Sequence, residues 1–170
     1  MSYIRLARPG QWIKNLLVFS PVFFVGDLGN AAAMRAASAA FAVFVCFSAC
    51  AYALNDIIDR REDASHPAKR FRPIARGDIS PIHAAAFISL VLIVAVAAMR
   101  AFVPAITGIM AAYALLAILY TLVLKRIPLV DIFAVSSFYL LRVAAGGAAI
   151  GVTPSRWLVA CVMFFALFIV

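Results

Sequence analysis

Asn55, Asp56, Asp59 and Asp63 put four oxygen-bearing side chains within nine residues. If the chain is helical there, residues 55, 59 and 63 are four apart and stack on one face. Asp56, three before Asp59 and seven before Asp63, joins the same stripe over about two turns. Like charges so arranged repel by a few tenths of a kcal/mol per pair, so a bare helix gains nothing from them. A hard divalent cation relieves the repulsion, and Mg²⁺ takes one or two carboxylates together with phosphate oxygens and water. Asn55, Asp56, Asp59 and Asp63 are therefore read as metal ligands, with the three aspartates as the catalytic carboxylates. The plainer reading is a solvated helix end with ordinary charges. Three Asp and an Asn in register at the end of an apolar run speak against it, because carboxylates at a membrane boundary are costly.

Lys69, Arg70, Arg72 and Arg76 follow directly, with His66-Pro67 and Pro73 breaking the helix between the two groups. Four cations beside such a cluster suit a phosphorylated substrate. The metal neutralises bridging oxygens, while Arg forks and Lys point charges hold the terminal phosphate. The alternative is a plain basic loop touching anionic lipid. Arg60, Arg61 and Glu62 face elsewhere on the helix and are read as solvated surface.

Further polar residues fall at the same level. Tyr120 ends an apolar run and Lys125-Arg126 follow it. Asp131 starts the next run, and Arg142 lies eleven residues on, three turns later and on the same face. An Arg at that depth must face a polar cavity, a partner or protein interior. It either supports a phosphate site from below or pairs with an acid on another helix. Lys14 and Asn15, beside the interfacial anchor Trp12, sit where the first apolar run starts. Lys14, Asn15, Lys69, Arg70, Arg72, Arg76, Tyr120, Lys125 and Arg142 make up the expected substrate-binding set. His66 and His83 receive no role.

The elements that position these residues are apolar. Of the 170 residues, 66% are hydrophobic, and runs near 20 residues long recur, the length that crosses about 30 Å of hydrocarbon. Spans are expected at about 13–27, 34–57, 81–99, 102–124 and 128–150, with a sixth from Trp157 still apolar at Val170. The 13–27 run is shorter than usual and is expected to be tilted or partly interfacial, and it is not a cleavable signal, since no small-residue cleavage site ends it. The fold class is all-α: a polytopic transmembrane bundle of five complete spans and a truncated sixth. The +8 formal charge is not a nucleic-acid signature, because the basic residues sit in short loops between apolar runs. Eleven of them fall on the side of the N-terminus and the 58–80 loop and three on the other, with Arg142 inside a span. That asymmetry places the N-terminus and the long loop in the cytoplasm. Cys46, Cys50 and Cys161 lie within apolar runs and are read as small apolar side chains, with no disulfide.

Two stretches resemble the UbiA superfamily of membrane prenyltransferases: Asn55-Asp56-Ile-Ile-Asp59-Arg-Arg-Glu-Asp63, then Lys69-Arg-Phe-Arg72-Pro73-Ile-Ala-Arg76-Gly77. Tyr120-x-x-x-x-Lys125-Arg126 adds a third. Three less diagnostic stretches resemble the decaprenyl-phosphate phosphoribosyltransferase branch: Arg8-Pro9-Gly-Gln11-Trp12-Ile-Lys14-Asn15, Leu124-Lys125-Arg-Ile-Pro128-Leu-Val-Asp131 and Leu141-Arg142-Val-Ala-Ala-Gly146. The resemblance implies one membrane-embedded domain over residues 1–170, within a bundle of about nine helices whose second acidic motif follows the sixth. The chain is expected to be C-terminally incomplete on that ground.

The resemblance further implies Mg²⁺ as cofactor and transfer of phosphoribose from phosphoribosyl diphosphate to a polyprenyl phosphate, with loss of diphosphate. The metal on Asp56, Asp59 and Asp63, with Asn55 as ligand or hydrogen-bonding neighbour, polarises the diphosphate. Lys69, Arg72, Arg76 and Lys125 offset the charge growing on it. The expected partners are the bilayer, a diphosphate donor and a polyprenyl lipid, at the cytoplasmic face of a bacterial inner membrane. Three alternatives stand beside this reading: an aromatic or quinone-type polyprenyltransferase using a prenyl diphosphate, a non-catalytic truncated bundle, and an ion transporter. The acids cluster at one membrane face and not at the midplane, where transport sites sit.

Overall fold

The computed structural model describes residues 2–169. Val170, where the sixth apolar run was expected to continue, lies outside the described residues. Helix α1 is Ser2–Leu6. A 3-10 stretch, Pro9–Phe19, runs into α2, Ser20–Val25. Helix α3, Ala31–Ile58, is followed by the short α4, Arg60–Ser65. Then come α5 (Pro81–Phe102), α6 (Thr107–Leu122), α7 (Val130–Ala149) and α8 (Arg156–Ile169).

The caps explain several of these limits. Asn30 accepts from the amides of Ala32 and Ala33 at 3.0 and 3.3 Å and starts α3. Ser80 accepts from the His83 amide at 3.3 Å, and Pro81 occupies the first turn, where its missing N–H costs nothing. Gly26, at φ 77°, ends α2 in the left-handed region. Helices α3, α5 and α7, and α6 together with its leading turn from Pro104, are long and apolar enough to cross a membrane. Their bounds fall within a few residues of the expected runs. Helix α8 is shorter, at 14 residues, and equally apolar.

The first expected span differs in kind. It is not one α-helix over 13–27 but eleven residues of 3-10 helix and six of α-helix. A 3-10 helix rises about 2.0 Å per residue and an α-helix about 1.5 Å. The seventeen residues therefore reach about 31 Å, close to the hydrocarbon thickness.

Three apolar clusters hold the elements. Phe44, Met99, Ile106, Met110 and Tyr113 join α3, α5 and α6, with Val18 of the 3-10 stretch and Ala145 of α7 packed in. Leu6, Ala53, Ile74, Ile79 and Ala84 pin the 66–80 loop beneath α1, α3 and α5. Tyr139, Val143, Leu158, Val162 and Ala166 seat α8 on α7. Helix α7 comes unusually close to the 3-10 stretch at Gly146, where an added Cβ would lie 2.0 Å from the Val18 carbonyl oxygen. Only glycine permits that approach.

Candidate functional site

The acidic stripe runs through a helix break. Helix α3 ends at Ile58, and Asp59, at φ −86° and ψ 3°, joins it to α4. The helical path nearly survives, since the Asp59 amide donates to Asn55 O at 2.9 Å and the Asp63 amide to Asp59 O at 2.8 Å. The four oxygen-bearing residues then divide into two pairs, each gathered on one cationic nitrogen. Arg72 Nη1 donates to Asp56 Oδ1 at 3.1 Å and to Asp63 Oδ2 at 2.7 Å. Lys125 Nζ donates to both Asp59 oxygens at 2.5 and 2.6 Å and to Asn55 Oδ1 at 3.3 Å. Arg8 adds a second guanidinium to Asp56, donating from Nη2 to Oδ1. Asp56 and Asp63 are buried, and buried carboxylates must be paired to stay charged.

The other basic residues stand further out. Arg76 pairs with Asp78 at 3.5 Å and is exposed. Lys69 and Arg70 are also exposed, with the Arg70 guanidinium 4.9 Å from the Phe71 ring centroid. Of the loop cations, Arg72 alone among the described residues reaches the acidic cluster.

Beneath the cluster, a cavity of about 300 Å³ opens between the 3-10 stretch, α3, α6 and α7. Arg8, Gln11 and Lys14 form one wall, Tyr52 and Asn55 a second, Tyr113, Tyr120 and Thr121 a third, and Phe138, Tyr139 and Arg142 the floor side. Arg8 and Asn55 thus belong both to the cavity and to the acidic cluster. The spacing of Arg8, Gln11 and Lys14 explains their common wall. A 3-10 helix repeats every three residues, so Gln11 and Lys14 eclipse one another, with Arg8 at the cap that starts the segment.

Arg142 is 3% exposed. Its Nε donates to Asn15 Oδ1 at 2.7 Å and Nη1 to the Phe138 carbonyl at 2.6 Å. Its guanidinium lies 5.5 to 5.9 Å from the ring centroids of Phe44, Tyr113 and Tyr139. Among the described residues no carboxylate pairs with it. Of the two readings left open for Arg142, the ion pair with an acid on another helix is not made among the described residues. Asn15 is buried and links Arg142 to Ser48 through Nδ2, at 3.2 Å.

Sequence reasoning missed Arg8 as the partner of Asp56, and Gln11, Tyr52 and Tyr113 as cavity residues. The three-residue spacing from Arg8 to Lys14 was the available signal. It is silent unless the segment is known to be 3-10.

The donor set can be tested against Mg²⁺. No three His, Cys, Asp or Glu side chains converge as a metal-binding group among the described residues. The expected four-ligand stripe is instead two half-sites. All donors are hard oxygens, and Asp56 and Asp63 already share one point of positive charge. Two carboxylates on one cation, with the remaining ligands from phosphate and water, is how Mg²⁺ is ordinarily held. The residues therefore fit the ion as a two-carboxylate site.

Apolar membrane-length helices define a multi-pass integral membrane protein, with a charged cluster beside a cavity inside its bundle. Residues 16–170 match the UbiA prenyltransferase family, and the chain belongs to that family. It is 34% identical to a decaprenyl-phosphate phosphoribosyltransferase of Mycobacterium tuberculosis, over 98% of this chain and 57% of that one. It is 36% identical to the enzyme of the same name from Mycolicibacterium smegmatis, over 97% of this chain and 53% of the relative. The chain thus spans about half the length of the curated relatives it matches. A solved UbiA homolog from Archaeoglobus fulgidus, bound to GPP and Mg²⁺, superposes with a TM-score of 0.84 at 22% identity, covering 99% of this chain and 61% of that one. That likeness bears on the fold.

Proposed function

We propose that this chain carries the first half of a UbiA-type transferase site. The donor is phosphoribosyl diphosphate and the acceptor a polyprenyl phosphate. One observation carries the reading: paired carboxylates and cations sit at the mouth of a cationic, aromatic-walled cavity inside a membrane bundle. The phosphoribosyltransferase relatives, matched along nearly this whole chain, favour a phosphoribosyl donor.

Asp56 and Asp63 would hold Mg²⁺, with Asp59 and Asn55 beside them. The ion would supply charge neutralisation for a diphosphate leaving group. The chain's own residues do the rest. Arg72 and Lys125 exchange carboxylate partners for diphosphate oxygens and offset the negative charge that grows as the C–O bond breaks. Arg76, Lys69 and Arg70 draw the anion to the face from further out. An acceptor phosphate oxygen supplies the electron pair for the new bond to the anomeric carbon, and diphosphate departs with the old one. A phosphate needs no general base, and the cavity wall offers no His.

The eleven-to-three charge asymmetry supports a cytoplasmic active face in a bacterial inner membrane. The ion pairs agree, since they tie Arg8, Arg72 and Lys125 to one end of α3. A second reading, prenyl transfer to an aromatic acceptor, is favoured by the Tyr- and Phe-rich cavity wall and by the homolog that binds GPP. The deciding experiment gives the full-length protein in membranes labelled phosphoribosyl diphosphate or prenyl diphosphate with Mg²⁺. Phosphoribosyl transfer to polyprenyl phosphate is expected. Prenyl transfer alone would replace the first reading by the second.

A further inference from the structure

Lys14 and Arg142 are two cations turned toward the same ring, each 5.9 Å from the Tyr139 centroid. Neither pairs with a carboxylate among the described residues. Arg142 uses Nε and Nη1 on protein acceptors. Both residues line the same cavity. Two like charges facing one ring in a low-dielectric bundle repel and lose hydration. An anion between them offsets both costs. The Arg142–Asn15–Ser48 chain accounts for the placement of the guanidinium, but not for a second cation beside it.

What kind of anion follows from the surroundings. A second, larger void of about 610 Å³ lies on the outer side of the 3-10 stretch, between it, α2 and α8. Its wall is apolar, with Leu17, Phe23, Phe24 and Phe165, and it shares Lys14 and Tyr139 with the cationic cavity. Charge on one side and a greasy channel on the other, meeting at the same two residues, match an amphiphile with an anionic head.

We infer that Lys14 and Arg142 hold the phosphate of a lipid phosphomonoester, whose chain leaves along the groove between the 3-10 stretch, α2 and α8. This rests on the proposed acceptor being a polyprenyl phosphate. It adds that the acceptor phosphate sits on its own cations, apart from those on the acidic cluster. Arg72 and Lys125 serve the donor, and Lys14 and Arg142 serve the acceptor.

The test measures binding to full-length protein in nanodiscs, of a polyprenyl phosphate and of the polyprenol of equal chain length. Wild type should prefer the phosphate by tenfold or more. Lys14→Gln and Arg142→Gln should each lose about tenfold of that preference, as expected for a lost charge-assisted hydrogen bond. Arg142→Lys should recover part of it. Binding of inorganic diphosphate with Mg²⁺ should stay unchanged in all three. Lys14 is half-exposed, so Lys14→Gln carries the test even where Arg142→Gln fails to fold. A wild type without preference for the phosphate overturns the polyprenyl-phosphate reading itself. A preference that survives in Lys14→Gln overturns only the site. Ribose 5-phosphate binding that weakens in the variants as much as the lipid phosphate would assign these cations to the donor and overturn the inference.

Discussion

Asp56 and Asp63 share Arg72 Nη1, so the guanidinium stands where a cation is wanted. Breaking a buried pair by removing one partner costs about 3–5 kcal/mol, because the other charge is left uncompensated. Arg72→Met should therefore lower the unfolding temperature in metal-free detergent, and millimolar Mg²⁺ should restore more of it than it adds to wild type. Equal Mg²⁺ responses would mean that the ion does not use these carboxylates. Asp56→Asn should cut transfer by about 10²–10³-fold, the scale of losing one electrostatic element of a reaction centre. The measurement is product formation at saturating donor. The acids were legible in the sequence because their spacing is local, at three and four residues. Their partners were not. Arg8 to Asp56, Lys125 to Asp59 and Arg142 to Asn15 are joined across 48, 66 and 127 residues, and no short-range pattern encodes such pairings. Arg8, Arg72 and Lys125 do meet the acids at one end of α3, and their placement in loops is the signal that groups them.

At the scale of elements, hydropathy located α3, α5, α6 and α7 well, since lipid demands continuous apolar helices whose backbone groups bond internally. It could not distinguish a 3-10 from an α-helical first segment. That difference aligns Arg8, Gln11 and Lys14 on the cavity wall. The 3-10 stretch is held against α7 at Gly146, where the Val18 carbonyl oxygen leaves no space for a Cβ. Gly146→Ala should destabilise the protein by about 1–3 kcal/mol, the usual cost of overpacking. It should also weaken acceptor binding, because Lys14 and Asn15 ride on the displaced segment. Thermal unfolding and acceptor Kd measured on one preparation check both effects. Gly108→Ala on α6, where an added Cβ meets nothing within 4 Å, is the control and should change neither. A Gly146→Ala protein with unaltered stability would show that the 3-10 stretch yields without cost and is not the positioning element.

For the whole molecule, the remaining question is which way the bundle faces. The ion pairs bind the N-terminal segment, the 66–80 loop and the α6–α7 connection to one end of α3. The basic residues counted on one side of the chain are thus on one side of the fold, which makes their asymmetry a property of a surface. A membrane reads such a surface through the positive-inside bias. Single cysteines test it once Cys46, Cys50 and Cys161 are replaced by Ala. Ala68→Cys lies in the exposed basic loop and Thr153→Cys in the exposed α7–α8 connection. A membrane-impermeant thiol reagent should label Thr153→Cys in intact cells, and Ala68→Cys only after permeabilisation. The reverse pattern would put the acidic cluster outside, away from a charged, membrane-impermeant cytoplasmic donor such as phosphoribosyl diphosphate, and would remove the proposed donor along with the orientation. Labelling of both in intact cells would mean that the chain does not hold the bundle across the membrane.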